Sequence, residues 1–224
     1  MHEIIKLTAR DILFSQPFHF GGASFVFNIA LILGERHNFI IDTGFGSESI
    51  APVLEYIQHN APKNPIIAIN THSHWDHTWG NCALKNHTII SHPLCREFAN
   101  RDWENEQSKW KKYIQGNATK CLPNMTFEDK LHFPEDGVEI FHSPGHSADC
   151  ISVFHETEKI LYAGDNIGLD SSYLPHIETD IPTFQRLIET YKTYPFEQCI
   201  STHSSKTYGK ELLSVMETSL KIRL

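Results

Sequence analysis

The chain has 224 residues, enough for one sizeable domain with a layered core. Its 19 basic and 27 acidic residues give a formal charge of −8, and an acidic surface disfavours a nucleic-acid partner. No uninterrupted apolar run is long enough to span a bilayer, so we expect no membrane partner.

The amino terminus and the cysteines bear on where the protein works. Residues 1–6 lack a basic start followed by an apolar core, so no secretory signal is visible and we expect a cytoplasmic protein. The cysteines are scattered and form no C-x-x-C pair, which favours reduced thiols over a disulfide framework.

The first part of the sequence predicts strands that alternate with helices. Residues 24–33 and 39–41 are apolar and rich in β-forming side chains, with a turn between them. The second strand ends in the polar loop Asp42-Thr43-Gly44, and apolar residues at helical spacing follow over 47–59. A short apolar strand over 65–70 then leads directly into a histidine-rich segment.

That segment contains His72, His74, Asp76 and His77, which spell H-x-H-x-D-H. Imidazole nitrogens and carboxylate oxygens are ligands of zinc and other borderline divalent metals. Residues two apart in an extended segment project to the same side, so His72 and His74 can face one metal position. Asp76 and His77 fall where the chain turns toward a helix and can address a second position. The alternative is a polar loop whose histidines form local hydrogen bonds.

The remaining segments predict further strands and helices. Helices are predicted over 93–115, 181–194 and 207–221. Strands are predicted over 87–92, 127–133, 138–142, 151–154, 159–163 and 198–201. His87 and His92 flank one of these strands, and we expect them to be surface residues or residues with satisfied hydrogen bonds rather than ligands.

Four predicted strands lead into a residue that can bind a metal. These residues are His72, His146, Asp165 and His203. Strand ends that carry ligands in this way are expected to converge on one site, with sheets inside and helices outside.

Five pieces of the sequence, in this order, resemble the metallo-β-lactamase superfamily of metallohydrolases. They are Asp42-Thr43-Gly44, His72 to His77, Pro144-Gly145-His146, Gly164-Asp165-Asn166 and Thr202-His203. The resemblance implies an α/β fold over residues 1–224 as a single domain. That fold is a four-layer αββα sandwich of two mixed β-sheets flanked by helices, with a dinuclear metal site at one edge of the sheets.

The resemblance also implies a role for each candidate ligand. One metal would be held by His72, His74 and His146. The other would be held by Asp76, His77 and His203, with Asp165 bridging both. Asp76 would also orient the nucleophile, so Asp76 and Asp165 are the expected catalytic residues. A water held between two such metals has a lowered pKa and is a nucleophile near neutral pH.

Three other residues are candidates for the surroundings of the metals. Asp42 is expected to lie behind them as a hydrogen-bond partner of a ligand, and the alternative is a turn-forming Asx residue. Tyr173 and His176 could donate a hydrogen bond to a developing oxyanion, and the alternative is a packed surface loop. Loops over 14–24, 93–126 and 166–180 are expected to shape the substrate site.

The function that this resemblance implies is hydrolysis of a small ester, thioester, lactone or amide with two zinc ions per chain. Iron or manganese could replace zinc. Asp165 favours a glyoxalase II-like or lactonase-like ligand set, because many β-lactamases of the superfamily carry cysteine or serine there. A β-lactam hydrolase is one alternative. The other is a persulfide dioxygenase-like oxidoreductase with a single iron on His72, His146 and Asp165.

Overall fold

Two β-sheets lie face to face between helices in the computed structural model, which describes residues 2–61, 63–169 and 171–223. The strands of the first sheet, in spatial order, are β1 Glu3–Lys6, β2 Asp11–Phe20, β3 Ala23–Leu33, β4 Asn38–Ile41, β5 Ile66–Ile69, β6 Thr88–Ser91 and β7 Met125–Thr126. Strands β1 to β4 are antiparallel, and β4 to β7 are parallel.

The second sheet is also mixed. Its strands, in spatial order, are β8 Lys130–Phe133, β9 Val138–His142, β10 Ile151–His155, β11 Ile160–Tyr162, β12 Gln198–Ile200 and β13 Thr207–Tyr208. All neighbours are antiparallel except β11 and β12, which are parallel. The α-helices are α1 Ser47–Asn60, α2 Trp75–Thr78, α3 Pro93–Trp110, α4 Ile181–Thr193 and α5 Leu212–Arg223.

Three apolar clusters define four layers. Successive side chains of a strand point to opposite faces. In β4, Phe39 and Ile41 therefore face the second sheet, while Ile40 faces α1. The second sheet repeats this division, because Ile140 of β9 packs between the sheets and Phe141 packs against α4. The αββα sandwich and its two mixed sheets confirm the predicted fold class.

The predicted loop over 14–24 is wrong, because these residues belong to the hairpin of β2 and β3. Ser15 pairs with Asn28, and the pairing continues to Phe20 with Ala23. Gly21 and Gly22 form the two-residue turn with φ of 58° and 84°, backbone values that glycine adopts at little cost. A Gly-Gly pair between apolar β-forming segments is the sequence signal of such a hairpin.

Two predicted helices also have different ends. The helix predicted over 93–115 ends at Trp110, and a short 3-10 helix, Lys111–Tyr113, follows it. The helix predicted over 207–221 starts at Leu212, since Thr207 and Tyr208 pair with β12 instead. Each helix among the described residues is too short or too polar to cross a bilayer.

Candidate metal centre

The predicted ligands lie where strands of both sheets end. His72 follows β5, His146 follows β9, and Asp165 and His203 follow β11 and β12. A backbone hydrogen bond of 2.8 Å from the amide of Ile151 to the carbonyl of Thr71 joins the two sheets at this edge. Four strand ends therefore hold the candidate residues on rigid elements, which lowers the entropic cost of binding a metal.

His72, His74 and His146 form one group of donor atoms. The Nδ1 atom of His74 lies 3.0 Å from Nε2 of His72 and 3.2 Å from Nε2 of His146. One ligand atom from each residue lies within 4.8 Å of the other two. The structure thus brings together the three histidines that sequence reasoning assigned to one metal.

Asp76, His77 and His203 form a second group with the same spacing limit of 4.8 Å. The Oδ2 atom of Asp76 lies 3.7 Å from Nε2 of His77 and 3.3 Å from Nε2 of His203. Asp76 and His77 reach this position because the chain enters α2 directly after His74.

Asp165 lies between the two groups. Its Oδ1 atom is 3.5 Å from Nε2 of His77, and its Oδ2 atom is 3.4 Å from Nε2 of His203 and 4.0 Å from Nε2 of His72. Nε2 of His77 and Oδ1 of Asp165 are buried and make no hydrogen bond to any described residue. Buried polar atoms without a partner are costly. A cation held by these nitrogen and oxygen donors would remove that cost, so the residues fit divalent metals.

The ring nitrogens that face away from the cluster have partners of their own. Nδ1 of His77 donates to Oδ2 of Asp42 at 2.8 Å, and Nδ1 of His146 donates to the carbonyl of His176 at 2.7 Å. Nε2 of His74 lies 3.4 Å from Oε1 of Glu178. Such outer contacts fix the tautomer and the orientation of each ring, leaving the inward nitrogen free to bind a metal.

Asp42 contacts the histidine-rich segment at more than one point. It accepts hydrogen bonds from the amide and hydroxyl of Thr71 at 2.8 and 2.9 Å, in addition to the bond from His77. Asp42 also has a φ of 60°, so its backbone turns sharply at the end of β4. It is therefore both a turn residue and the partner of a candidate ligand.

Charges of both signs are packed together in the cluster. Burial opposes protonation of His77, yet the carboxylates of Asp42, Asp165 and Asp76 raise its pKa well above the usual value. Burial also opposes protonation of His203, but Asp165 and Asp76 raise its pKa to about 10. The carboxylates thus create a negative potential at the inward nitrogens, which favours a cation there.

Asp165 itself is held in the charged form. Burial alone would raise its pKa, but His203 and His77 lower the pKa of this carboxyl well below its usual range. His72 shows the opposite balance, because burial together with His77 and His74 lowers its pKa well below the ordinary value. A neutral imidazole and an ionised carboxylate are the forms that bind metals.

Tyr173 and His176 lie around the cluster rather than in it. His176 is exposed and lines a cavity of about 350 Å³ that also contains His146, Asp165 and His203. Tyr173 lines a neighbouring groove and packs edge-on against Tyr208, with ring centroids 5.1 Å apart. Contact of either residue with a substrate stays a prediction.

Three residues have supporting roles that sequence reasoning did not assign. Buried Asp149 accepts 2.7 Å hydrogen bonds from the amide of Ser73 and the hydroxyl of Ser147, and so joins the loops that carry His72 and His146. The side chain of Asn166 accepts from the amide of His146 at 2.8 Å. Glu178 lies on the loop predicted to border the site, and its position next to His74 follows only from tertiary structure.

Other histidines and tryptophans lie away from the donor atoms. The side chain of His92 accepts a hydrogen bond at the start of α3 and does not join either donor group. Trp103 is buried against the first sheet, and Trp110 stacks on Trp75 with ring centroids 5.7 Å apart. Because Trp75 directly precedes Asp76, this aromatic packing holds the histidine-rich segment in place.

Comparison with known proteins identifies the family. A sequence profile of the metallo-beta-lactamase superfamily matches residues 25–217. The chain therefore belongs to the metallo-β-lactamase superfamily, as its motifs predicted. It is a metal-dependent hydrolase, and the donor groups described above are its candidate metal site.

Curated relatives are similar over most of the chain. The human protein called acyl-coenzyme A thioesterase MBLAC2 is 26% identical over 212 residues, covering 83% of this chain and 75% of its own length. A protein of Methanocaldococcus jannaschii, named probable metallo-hydrolase MJ0888, is 29% identical over 150 residues, with 65% of this chain and 69% of the relative covered.

Solved structures share the fold. A metallo-β-lactamase from Pontibacter korlensis superposes with a TM-score of 0.80 at 20% identity, over 99% of both chains. The metallo-β-lactamase structure TMB-1 gives the same TM-score of 0.80 at 21% identity, over 100% of this chain and 99% of the other. At these identities the similarity extends to the fold alone.

Proposed function

We propose that the protein holds two divalent cations, zinc under ordinary conditions, and hydrolyses thioesters. The observation that carries this proposal is the position of Asp165 between the two donor groups, with Oδ1 3.5 Å from Nε2 of His77 in one group and Oδ2 4.0 Å from Nε2 of His72 in the other. A group of three donors on each side of one carboxylate suits a pair of cations better than a single one.

His72, His74 and His146 would hold one cation, and Asp76, His77 and His203 the other. Asp165 would bridge them. When bound, such cations polarise a carbonyl oxygen and lower the pKa of a coordinated water.

The chain's own residues would prepare the attack on the substrate. Asp76 is ionised at neutral pH, because its pKa is lowered by His77 and His203 even though burial raises it. Its carboxylate can therefore accept a hydrogen bond from the attacking water and hold that water in place. Asp42 and Glu178 keep two ligand rings in position.

The choice of thioesters rests on the relatives. Two of the similar curated proteins are named thioesterases, the human acyl-coenzyme A thioesterase and an atrochrysone carboxyl ACP thioesterase of Claviceps purpurea that is 24% identical over 172 residues. The carboxylate of Asp165 can contact two cations at once, so the site needs no cysteine or serine as a ligand at that position. Thioester hydrolysis is to be compared with hydrolysis of esters, lactones and β-lactams by the same cluster.

The test combines metal analysis with a substrate screen. Protein purified without added metal is expected to contain close to two zinc ions per chain. It is also expected to hydrolyse acyl thioesters faster than matched esters, lactones, β-lactams and phosphodiesters. One iron per chain with oxygen uptake on a thiol substrate would contradict the proposal, and so would a clear preference for β-lactams.

A further inference from the structure

A groove of about 640 Å³ extends from the candidate metal centre toward the segment after β12. It shares Phe25, Leu169 and His203 with the smaller cavity that contains Asp165. A molecule whose reacting group lies at the donor cluster can therefore continue into this groove without leaving the surface of the protein.

The charge of the groove is opposite to that of the protein. Its described lining residues include one lysine, Lys206, together with several serines, and they include no carboxylate. The chain as a whole has 27 acidic residues and a formal charge of −8. A cationic groove on an acidic protein concentrates the potential that attracts an anionic ligand.

Lys206 is exposed, and it forms no ion pair with any described residue. Other lysines in the structure do, such as Lys130 with Glu139 at 3.0 Å and Lys192 with Glu189 at 2.9 Å. The backbone amide of Lys206 donates a hydrogen bond of 3.0 Å to the hydroxyl of Ser204. The backbone of this residue is therefore held in place, while its ammonium group can contact a ligand.

The opposite end of the cluster is acidic. Glu178 lies beside His74 there, with its Oε1 atom 3.4 Å from Nε2 of His74. An anionic group is therefore repelled near His74 and attracted beyond His203. This asymmetry favours one orientation of a charged substrate over the reverse.

We propose that the groove binds a carboxylate or phosphate group of the substrate, with the ammonium group of Lys206 as its charged contact. Hydroxyl groups of Ser24 and Ser205 lie along the same groove and can complete the hydrogen bonds of an oxyanion. The anionic end of the substrate then points past His203 while its acyl carbon lies at the donor cluster. This orientation rests on the proposed hydrolytic function.

Thioethers test the groove, because they have the shape of thioester substrates but lack the thioester bond. Two pairs of thioethers distinguish a phosphate from a carboxylate, and in each pair only the first compound is anionic. The pairs are S-alkyl pantetheine 4′-phosphate with S-alkyl pantetheine, and S-alkyl thioglycolate with S-alkyl thioglycolamide. Calorimetric titration of the zinc-loaded protein is expected to show about tenfold tighter binding of the anionic member in at least one pair. Preference within only one pair identifies the group as phosphate or as carboxylate.

Two lysine variants complete the test. Lys206→Met is expected to abolish the preference for the anionic member. Lys85→Met removes the same charge from an exposed position outside the groove and should preserve the preference. Equal binding within both pairs, or a preference that survives Lys206→Met, would overturn the inference. Since binding is measured without turnover, a failure of the protein to hydrolyse any thioester would refute the proposed function separately.

Discussion

Oδ2 of Asp42 accepts a hydrogen bond from Nδ1 of His77 at 2.8 Å, and both side chains are fully buried. The same carboxylate accepts from the amide of Thr71, the residue before His72. One residue at the end of β4 thus orients a candidate ligand directly and fixes the backbone that carries another. The donor atoms are therefore positioned by Asp42 as well as by the strands that carry them.

Replacing Asp42 by asparagine is expected to weaken zinc binding about 10–100-fold at the group that contains His77. The amide keeps the size of the carboxylate but loses its charge, and only its oxygen can accept a hydrogen bond. Competition titration with a chromophoric chelator, read for the first and second zinc equivalents, measures the effect. Unchanged affinity for both equivalents would show that Asp42 is only a turn residue.

Asp136 provides the matched control for Asp42. It is also buried, and its Oδ2 atom lies 2.7 Å from Nδ1 of His37, but this pair is not among the candidate metal ligands. Asp136→Asn should therefore leave zinc affinity unchanged. If Asp136→Asn and Asp42→Asn weakened zinc binding equally, the loss would come from general destabilisation.

Asp165→Ala is expected to reduce bound zinc from two ions per chain to one or none and to lower turnover at least about a hundredfold. The reason is that no other described carboxylate lies between the two donor groups. Elemental analysis and the rate on the best thioester give the two readings. Asp165→Asn, which keeps the size of the side chain, distinguishes loss of charge from a cavity. Full activity of the alanine variant would disprove the bridging role.

Much of this candidate centre was predictable from the sequence, because its candidate ligands are tied to local patterns. His72 to His77 lie in six consecutive positions after an apolar strand, and the remaining ligands each follow a strand of their own. The continuous apolar run of β4, Phe39-Ile40-Ile41, is likewise typical of a strand that is buried on both faces. Local chemistry and periodicity were sufficient for these features.

The supporting contacts could not be read in this way. Asp149 and Glu178 act through residues that are distant in sequence, Ser73 and His74, and nothing in their own neighbourhood marks them. The hairpin of β2 and β3 is a different case, because its signal, Gly21-Gly22 between β-forming segments, is present in the sequence. Partners across the fold depend on how strands are placed, which periodicity does not specify.

Glu178→Ala is expected to weaken zinc binding about tenfold at the group that contains His74. Oε1 of Glu178 lies 3.4 Å from Nε2 of His74, and the hydrogen bond to His74 lowers the pKa of Glu178. Glu178→Gln keeps an oxygen acceptor and should restore most of the affinity. Competition titration decides the matter, and equal affinities for alanine, glutamine and wild type would rule out a positioning role.

His92 should make the protein less stable in acid for a reason unrelated to metal binding. Its Nδ1 atom accepts a hydrogen bond from the amide of Leu94 at 3.2 Å, and its ring stacks on His142 with centroids 3.9 Å apart. Burial and the neighbouring His142 lower the pKa of His92 to about 4, although Asp149 and Asp129 oppose the shift. The neutral ring is therefore the form that caps α3.

A folded-state pKa below the unfolded value of 6.5 means that stability is present above pH 6.5 and is lost as the pH falls toward 4. His92→Asn keeps a capping acceptor but cannot titrate. Between pH 7.5 and pH 5 the wild type should lose about 1–2 kcal/mol of unfolding free energy relative to this variant. Urea unfolding with saturating zinc at both pH values measures this difference.

His92→Ala should be less stable than His92→Asn by about 1 kcal/mol at both pH values, because it lacks the cap. A constant gap between wild type and His92→Asn across this range would show that the ring is protonated equally in the folded and unfolded chains.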